Sequence, residues 1–261
     1  MESENIKKAI IKYRETIPKK IILRDAKIIK TKLDKASIVI GPRKSGKTYF
    51  LYEIMKNEKN PIMLNFEDNL LTGLNIADLN EIIDYSKELF GIQNFSFFLD
   101  EIQNIDNWEK FVISLLNYHY KVFITGSNSK LLSREIATAL RGKSLNYLLL
   151  PCSFKEYLEF KGIIPENNFE YTDQSYILKK EFKDFFKFGG FPELILSDSL
   201  ELKNKIINNY FDSVLYKDII DRLRIKNIKL VEITLKYLLN LFGNTFSISS
   251  SIHTILEFVV Y

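Results

Sequence analysis

The sequence is poor in the residues from which covalent or metal-held frameworks are built. It has one cysteine, Cys152, and two histidines among its 261 residues. A single cysteine excludes an internal disulfide and a metal site made of cysteines. His119 and His253 lie far apart and have no neighbours at metal-ligand spacing, so we assign a metal to neither.

Long apolar runs are absent as well. No stretch of 18 or more apolar residues occurs, and the amino-terminal segment lacks a basic region followed by an apolar one. We therefore expect no membrane span, no secretion signal and a cytoplasmic location. The 46% of hydrophobic and 27% of charged residues are ordinary for a globular protein with one large or two modest domains.

Charge of one sign is not in strong excess. The formal net charge of +4 is too small by itself to indicate a nucleic-acid partner. The most basic segment, residues 19–35, is interrupted by isoleucines, which favours an amphipathic segment with a solvated basic face. Contact of this segment with a phosphate backbone is the alternative. Its basic residues are Lys19, Lys20, Arg24, Lys27, Lys30, Lys32 and Lys35.

What the sequence does contain is a phosphate-loop pattern, G-x-x-x-x-G-K-T, between a strand-like and a helix-like run. Gly41 and Gly46 allow the backbone to curl, so that its N–H groups converge on phosphate oxygens, and a Cβ at either position would obstruct the curl or the ligand. Lys47 supplies a positive charge for the β- and γ-phosphates, and the Thr48 hydroxyl can ligate Mg²⁺. We predict that the loop binds a nucleoside triphosphate; the alternative is a plain surface loop. The predicted binding residues are Gly41, Pro42, Arg43, Lys44, Ser45, Gly46, Lys47 and Thr48.

A second signature is a buried strand that ends in two acidic residues, Asp100 and Glu101. Asp100, at the end of the third predicted strand, can hold the hydration shell of Mg²⁺ beside the phosphate loop. Glu101 can polarise a water for attack on the γ-phosphate. A helix start decorated with acidic residues is the alternative interpretation.

Two further segments offer catalytic candidates. The fourth strand ends in Thr-Gly-Ser-Asn at 125–128, and Ser127 is the first candidate to sense the γ-phosphate, ahead of Thr125 and Asn128. A helix cap at Ser127 is the competing interpretation. Arg141 could reach a transition-state phosphate in its own subunit or across an interface, or it could form an ordinary surface salt bridge.

The order of elements predicts an α/β fold, a P-loop NTPase core with a five-stranded parallel sheet, followed by an all-helical region. The strands are expected at 37–40, 62–66, 95–99, 121–125 and 145–150, because near-continuous apolar runs suit a parallel sheet covered on both faces. Ser153 and Glu156 fit a capping box that opens a helix. We predict an ATPase core over residues 1–152, a helical domain over 153–246 and a short atypical tail over 247–261.

Together these segments resemble prokaryotic, especially archaeal, AAA-type ATPases of the additional-strand, catalytic-glutamate branch. The resemblance covers residues 17–244. The matching segments are Ile22–Asp25, Gly41–Thr48, Phe98–Gln103, Ile124–Asn128, Leu140–Gly142, Leu150–Glu156, Gly189–Glu193 and Lys217–Arg222. The segments at 153–156 and 189–193 are more diagnostic than the phosphate loop, which many folds share.

The resemblance implies a parallel core with the phosphate-loop strand central, and ATP with Mg²⁺ as ligands. It also implies nucleotide roles for Lys47, Thr48, Asp100 and Glu101. This sequence departs from the family at Lys143, where a second arginine is usual. Members usually continue past residue 247 into a winged-helix-like segment, so we expect a truncated or frame-shifted end here.

We consider four functions. The first is an ATP-hydrolysing switch whose helical part couples nucleotide state to a protein partner, with self-association as an open question. The second is a DNA-associated module that uses ATP, and the third is a relative that binds ATP without turning it over. A P-loop kinase is the fourth, disfavoured because no arginine-rich lid is visible and such kinases rarely need a glutamate directly after the strand-end aspartate.

Overall fold

A computed structural model describes residues 2–19, 21–29, 33–91, 94–127, 140–221 and 223–241. In chain order the elements are α1 (Glu2–Glu15), β1 (Ala36–Gly41), α2 (Lys47–Met55), β2 (Pro61–Asn65), α3 (Ile76–Phe90), β3 (Ser96–Asp100), α4 (Trp108–Asn117), β4 (Lys121–Ser127), β5 (Ser144–Leu148), α5 (Phe154–Phe160), α6 (Gln174–Phe188), α7 (Pro192–Ile195), α8 (Leu200–Ser213) and α9 (Ile228–Asn240). Short 3₁₀ turns occur at Asn69–Leu71, Ile102–Asn104 and Phe169–Tyr171.

The five strands form one parallel sheet in the order β2-β3-β4-β1-β5. Every residue of β1 and β3 is buried, as expected for strands covered on both faces. The predicted α/β fold with a five-stranded parallel sheet is therefore confirmed. The resemblance implies that the phosphate-loop strand is central. Strand β1 does lie inside the sheet, between β4 and β5, but the middle strand is β4.

The parallel sheet brings the carboxyl ends of β1, β3 and β4 to one edge. The phosphate-loop segment follows β1, the two acidic residues end β3, and Thr125 lies near the end of β4. Ligands bind to α/β sheets at this edge, where the loops after the strands meet. The topology thus gathers the three segments that the sequence marks as chemical.

Helices pack on both sides of the sheet because they bury apolar side chains in a common core with the strands. Helix α1 buries one face against β2 and α3, with Ile6, Ala9 and Ile10 almost completely inaccessible. Helix α4 buries Trp108, which therefore belongs to the core. Each large apolar side chain buried in this way stabilises the fold by about 1.5–3 kcal/mol.

After β5 the chain forms helices around a smaller apolar cluster. Ser153 caps α5 by accepting a hydrogen bond from the Glu156 N–H, and the Glu156 carboxylate accepts one from the Ser153 N–H, so the predicted capping box is present. Helix α6 ends at Phe188, and Gly189 is its carboxy-terminal cap. The cluster consists of Cys152, Tyr157, Leu158, Leu178 and Ile195.

The chain divides into two compact units, residues 1–196 and residues 197–261. The predicted boundary after residue 152 stays a prediction, and the predicted tail from 247 lies outside the described residues. In the second unit, α8 continues into a π-helix, Val214–Asp221. Leu215 and Ile220 are its buried residues, and their spacing of five suits a π-helix better than an α-helix.

Within the described ranges, no helix is both long enough and apolar enough to cross a bilayer.

Candidate functional site

The two glycines of the phosphate loop are required for different reasons. A Cβ on Gly41 would lie 2.1 Å from the Leu149 carbonyl oxygen, so this glycine permits close approach to the segment after β5. Gly46 has φ +94°, a left-handed conformation that side chains rarely adopt, and it begins α2. The expected curl of the backbone thus depends on Gly46, and the packing of the loop depends on Gly41.

Lys47 reaches back over the loop from the first turn of α2. Its Nζ donates hydrogen bonds to the carbonyl oxygens of Gly41 at 3.2 Å and Pro42 at 3.0 Å, and lies 3.9 Å from Glu101 Oε1. Burial lowers the pKa of Lys47, and the carboxylates of Glu101 and Asp100 oppose that effect. The ammonium group is therefore held at the mouth of the loop and faces two acidic groups.

Asp100 lies at the centre of a buried hydrogen-bond network. Thr48 Oγ1 donates to Asp100 Oδ2 at 2.8 Å, and Thr125 Oγ1 donates to Asp100 Oδ1. Burial raises the pKa of Asp100 to about 6, against the hydrogen bonds from Thr125 and Thr48, which lower it. The two predicted metal ligands, Thr48 and Asp100, are thus in direct contact.

The donor set at this position suits Mg²⁺. A threonine hydroxyl and a carboxylate are hard oxygen ligands, and Mg²⁺ in nucleotide sites takes few protein ligands and completes its shell with phosphate and water. The described residues contain no cluster of three or more His, Cys, Asp or Glu side chains that could hold a metal ion. The site fits Mg²⁺ delivered with a nucleotide.

Glu101 adopts a strained backbone conformation directly after β3. Its φ of +51° is left-handed, which costs a non-glycine residue about 1–2 kcal/mol. Its side chain accepts a hydrogen bond from Gln103 Nε2, and its backbone N–H donates to Thr125 Oγ1 at 3.3 Å. Strain of this kind is concentrated at functional sites. Here it accompanies an arrangement in which consecutive carboxylates both face the phosphate loop.

The remaining predicted residues either lie away from the phosphate loop or have side chains outside the described residues. Ser127 ends β4 and pairs in register with Gly41, but its side chain lies outside the described residues, as does the whole of Asn128. Thr125, the second-ranked candidate, makes the polar contacts at this strand end. Arg141 is exposed and precedes β5, at the edge opposite the phosphate loop. The six residues of β1 separate the two edges by about 20 Å, so one chain does not bring Arg141 to the site.

Sequence reasoning missed two contributors, Gln103 and Arg24. Gln103 lies in the segment that resembles the family, and its contact with Glu101 spans only two residues. Arg24 was assigned to a solvated basic face, and this was wrong: its side chain is 6% exposed and paired with Glu156. Only the presence of Arg24 in the Ile22–Asp25 segment marked it. Lys20, Lys30 and Lys32 of that predicted face lie outside the described residues.

Comparison with known families agrees with this geometry. Residues 33–158 match a family model described as an AAA domain, and this range includes the phosphate loop and both acidic residues. Residues 33–158 are thus similar to AAA domains. Residues 179–253 match a model described only as a domain of unknown function.

Two relatives extend the similarity beyond residues 33–158. An uncharacterized protein of Methanocaldococcus jannaschii is 41% identical over 241 residues, covering 92% of this chain and 54% of that protein. An uncharacterized protein of Haemophilus influenzae is 30% identical over 240 residues, covering 88% of this chain and 56% of that protein. This chain therefore spans about half the length of the curated relatives that it matches. Among solved structures, C. elegans PCH-2 is similar with a TM-score of 0.38 and 15% identity, covering 70% of this chain and 61% of that one.

Proposed function

We propose that this chain binds ATP with Mg²⁺ at residues 41–48 and hydrolyses it, using nucleotide state as a conformational switch. The observation that carries the proposal is the meeting of Lys47, Asp100 and Glu101 at one loop. Lys47 Nζ lies 3.9 Å from Glu101, and Asp100 is hydrogen-bonded to Thr48. An ion pair with a purely structural role would not require a phosphate loop beside it. It would also not require two carboxylates next to the lysine and the threonine of that loop.

Each residue has a separate task. The loop N–H groups and Lys47 bind the phosphates, so negative charge meets converging dipoles and an ammonium group. Thr48 and Asp100 would hold Mg²⁺, which supplies electrostatic stabilisation of the phosphoryl oxygens when bound. Glu101 accepts a proton from the attacking water, and Gln103 holds one of its carboxylate oxygens in place.

The narrower assignments also belong to this proposal. The resemblance to the archaeal catalytic-glutamate branch supports a switch that acts on a protein partner through the helical part. Ser127, at the end of β4, is proposed to sense the γ-phosphate. Arg141 is 20 Å or so from the loop along the sheet, so its proposed role requires a second copy of the chain.

The test is Mg²⁺-dependent ATP turnover by wild type, Lys47→Ala and Glu101→Gln. Glu101→Gln should bind ATP but turn it over about 10²–10⁴-fold more slowly, the range that general-base catalysis contributes. Lys47→Ala should bind ATP at least about tenfold more weakly. Glu88→Gln is the matched control, because it makes the same chemical change on a side chain that is 62% exposed and bound to Lys7 on the surface.

Equal turnover by Glu101→Gln and wild type would overturn the catalytic assignment. Tight ATP binding by the wild type with no turnover would keep the nucleotide site and remove hydrolysis.

A further inference from the structure

The Arg24 guanidinium links three segments of the first unit. Nε donates to Glu156 Oε1, Nη1 to the Ser45 carbonyl oxygen and Nη2 to the Leu150 carbonyl oxygen, each at 2.7 Å. The Arg24 side chain is 6% exposed and that of Glu156 is 7% exposed. One buried cation therefore joins the phosphate loop, the chain after β5 and the first turn of α5.

The contact with Ser45 fixes more than a carbonyl group. In a trans peptide the C=O of one residue and the N–H of the next lie in one plane and point in opposite directions. Because Arg24 Nη1 holds the Ser45 carbonyl oxygen, the Gly46 N–H of the same peptide points away from Arg24. Gly46 can accept this orientation because it has φ +94°. The inner N–H groups of such a loop are the ones that meet an anion.

The partner of Arg24 is itself fixed. Glu156 Oε1 accepts a second hydrogen bond from the Asp25 N–H at 2.9 Å, and Oε2 accepts one from the Ser153 N–H at 2.8 Å. Burial would raise the pKa of Glu156, but the hydrogen bonds from Arg24, Ser153 and Asp25 outweigh it and lower the pKa. The backbone N–H of Arg24 also donates to Glu53 of α2 at 3.2 Å. The guanidinium is therefore anchored on several sides and can act as a rigid support.

We propose that Arg24 is a positioning residue that orients the Gly46 N–H toward bound phosphate, so that affinity for polyphosphates depends on a side chain that never touches them. This inference rests on the proposed nucleotide site. A structural role alone would make Arg24 necessary for stability but not for phosphate affinity. The two roles can therefore be separated by measuring both quantities on the same variants.

Arg24→Lys is the decisive variant. A lysine keeps the charge opposite Glu156, but its three N–H groups radiate from a single nitrogen. They cannot reproduce the planar guanidinium, whose three nitrogens donate to three separate acceptors. By isothermal titration, we expect about tenfold weaker binding of both MgATP and inorganic tripolyphosphate, the size of effect expected when one hydrogen bond to a charged group is lost. Lys155→Met is the control: it removes an exposed contact with Asp25, the neighbour of Arg24, without touching the loop.

A second variant guards against misfolding. Glu156→Asp retracts the carboxylate by one methylene and should loosen Arg24, giving an intermediate loss of tripolyphosphate affinity; circular dichroism checks that both variants fold. Wild-type affinity in a folded Arg24→Lys or Glu156→Asp protein, whatever its melting temperature, would overturn the proposal. Failure of the wild type to bind either ligand would instead refute the nucleotide site on which the proposal rests.

Discussion

The two loop glycines provide a test of how the phosphate loop is built. Both are replaced by alanine in separate variants, Gly41→Ala and Gly46→Ala. At residue 41 the new Cβ would lie 2.1 Å from the Leu149 carbonyl oxygen, closer than the 3.0 Å below which real Cβ contacts essentially never occur. The backbone on one side must therefore move by about 1 Å, and the 2.7 Å hydrogen bond from the Leu149 N–H to Ile40 O lies in the path of that movement.

The expected magnitudes follow from these contacts. Overpacking costs about 1–3 kcal/mol and a disturbed hydrogen bond about 1 kcal/mol, so Gly41→Ala should lower the free energy of unfolding by about 2–4 kcal/mol. At residue 46 the nearest atoms are Arg24 Nη1 at 3.4 Å and Pro192 Cγ at 3.6 Å, which are ordinary contacts. Only the left-handed backbone penalises that alanine, by about 1–2 kcal/mol.

The assay is urea unfolding without nucleotide, followed by the fluorescence of Trp108. This residue is the single tryptophan, and it lies in the same compact unit as the loop. Wild type should be the most stable, Gly46→Ala intermediate and Gly41→Ala the least stable. If Gly41→Ala proved at least as stable as Gly46→Ala, the close approach of Leu149 would not be what requires a glycine at residue 41.

Two further predictions concern buried groups. Thr125→Val preserves shape but removes a hydroxyl that donates to Asp100 and accepts from the Glu101 N–H, so urea unfolding should show a loss of about 2 kcal/mol; an unchanged midpoint would refute the network. Burial raises the pKa of Cys152 to about 11, so the folded thiol stays protonated at pH 8. The stability that this shift contributes is complete below the pKa of the unfolded thiol, about 8.5, and is lost as pH rises from there toward 11. Reaction with a disulfide reagent at pH 8 should be at least about tenfold slower in the native than in the urea-unfolded protein, and equal rates would contradict the burial of Cys152.

Much of the fold follows from local patterns. The five strands lie within a residue or two of the runs that predicted them. For β1 and β3, which are buried along their whole length, the reason is that strands covered on both faces need nearly continuous apolar sequence. The capping box at Ser153 and Glu156 and the stop at Gly189 depend on contacts within a few residues, which a sequence displays directly.

The parts that sequence could not predict depend on distant contacts. Arg24 and Glu156 are 132 positions apart, so no local pattern reveals that the arginine is buried and paired. In the second unit, the apolar pattern of Val214–Asp221 also fits an α-helix in part, so the pattern does not predict the π-helix.

The central claim is that residues 41–48 hold a triphosphate, and direct titration of MgATP tests it most simply. Wild type should bind one MgATP per chain, and Lys47→Ala should bind at least about tenfold more weakly, because it loses the ammonium group at the mouth of the loop. Lys56→Ala, at the other end of α2, should bind like wild type. No binding by the wild type, or equal binding by Lys47→Ala, would contradict the account.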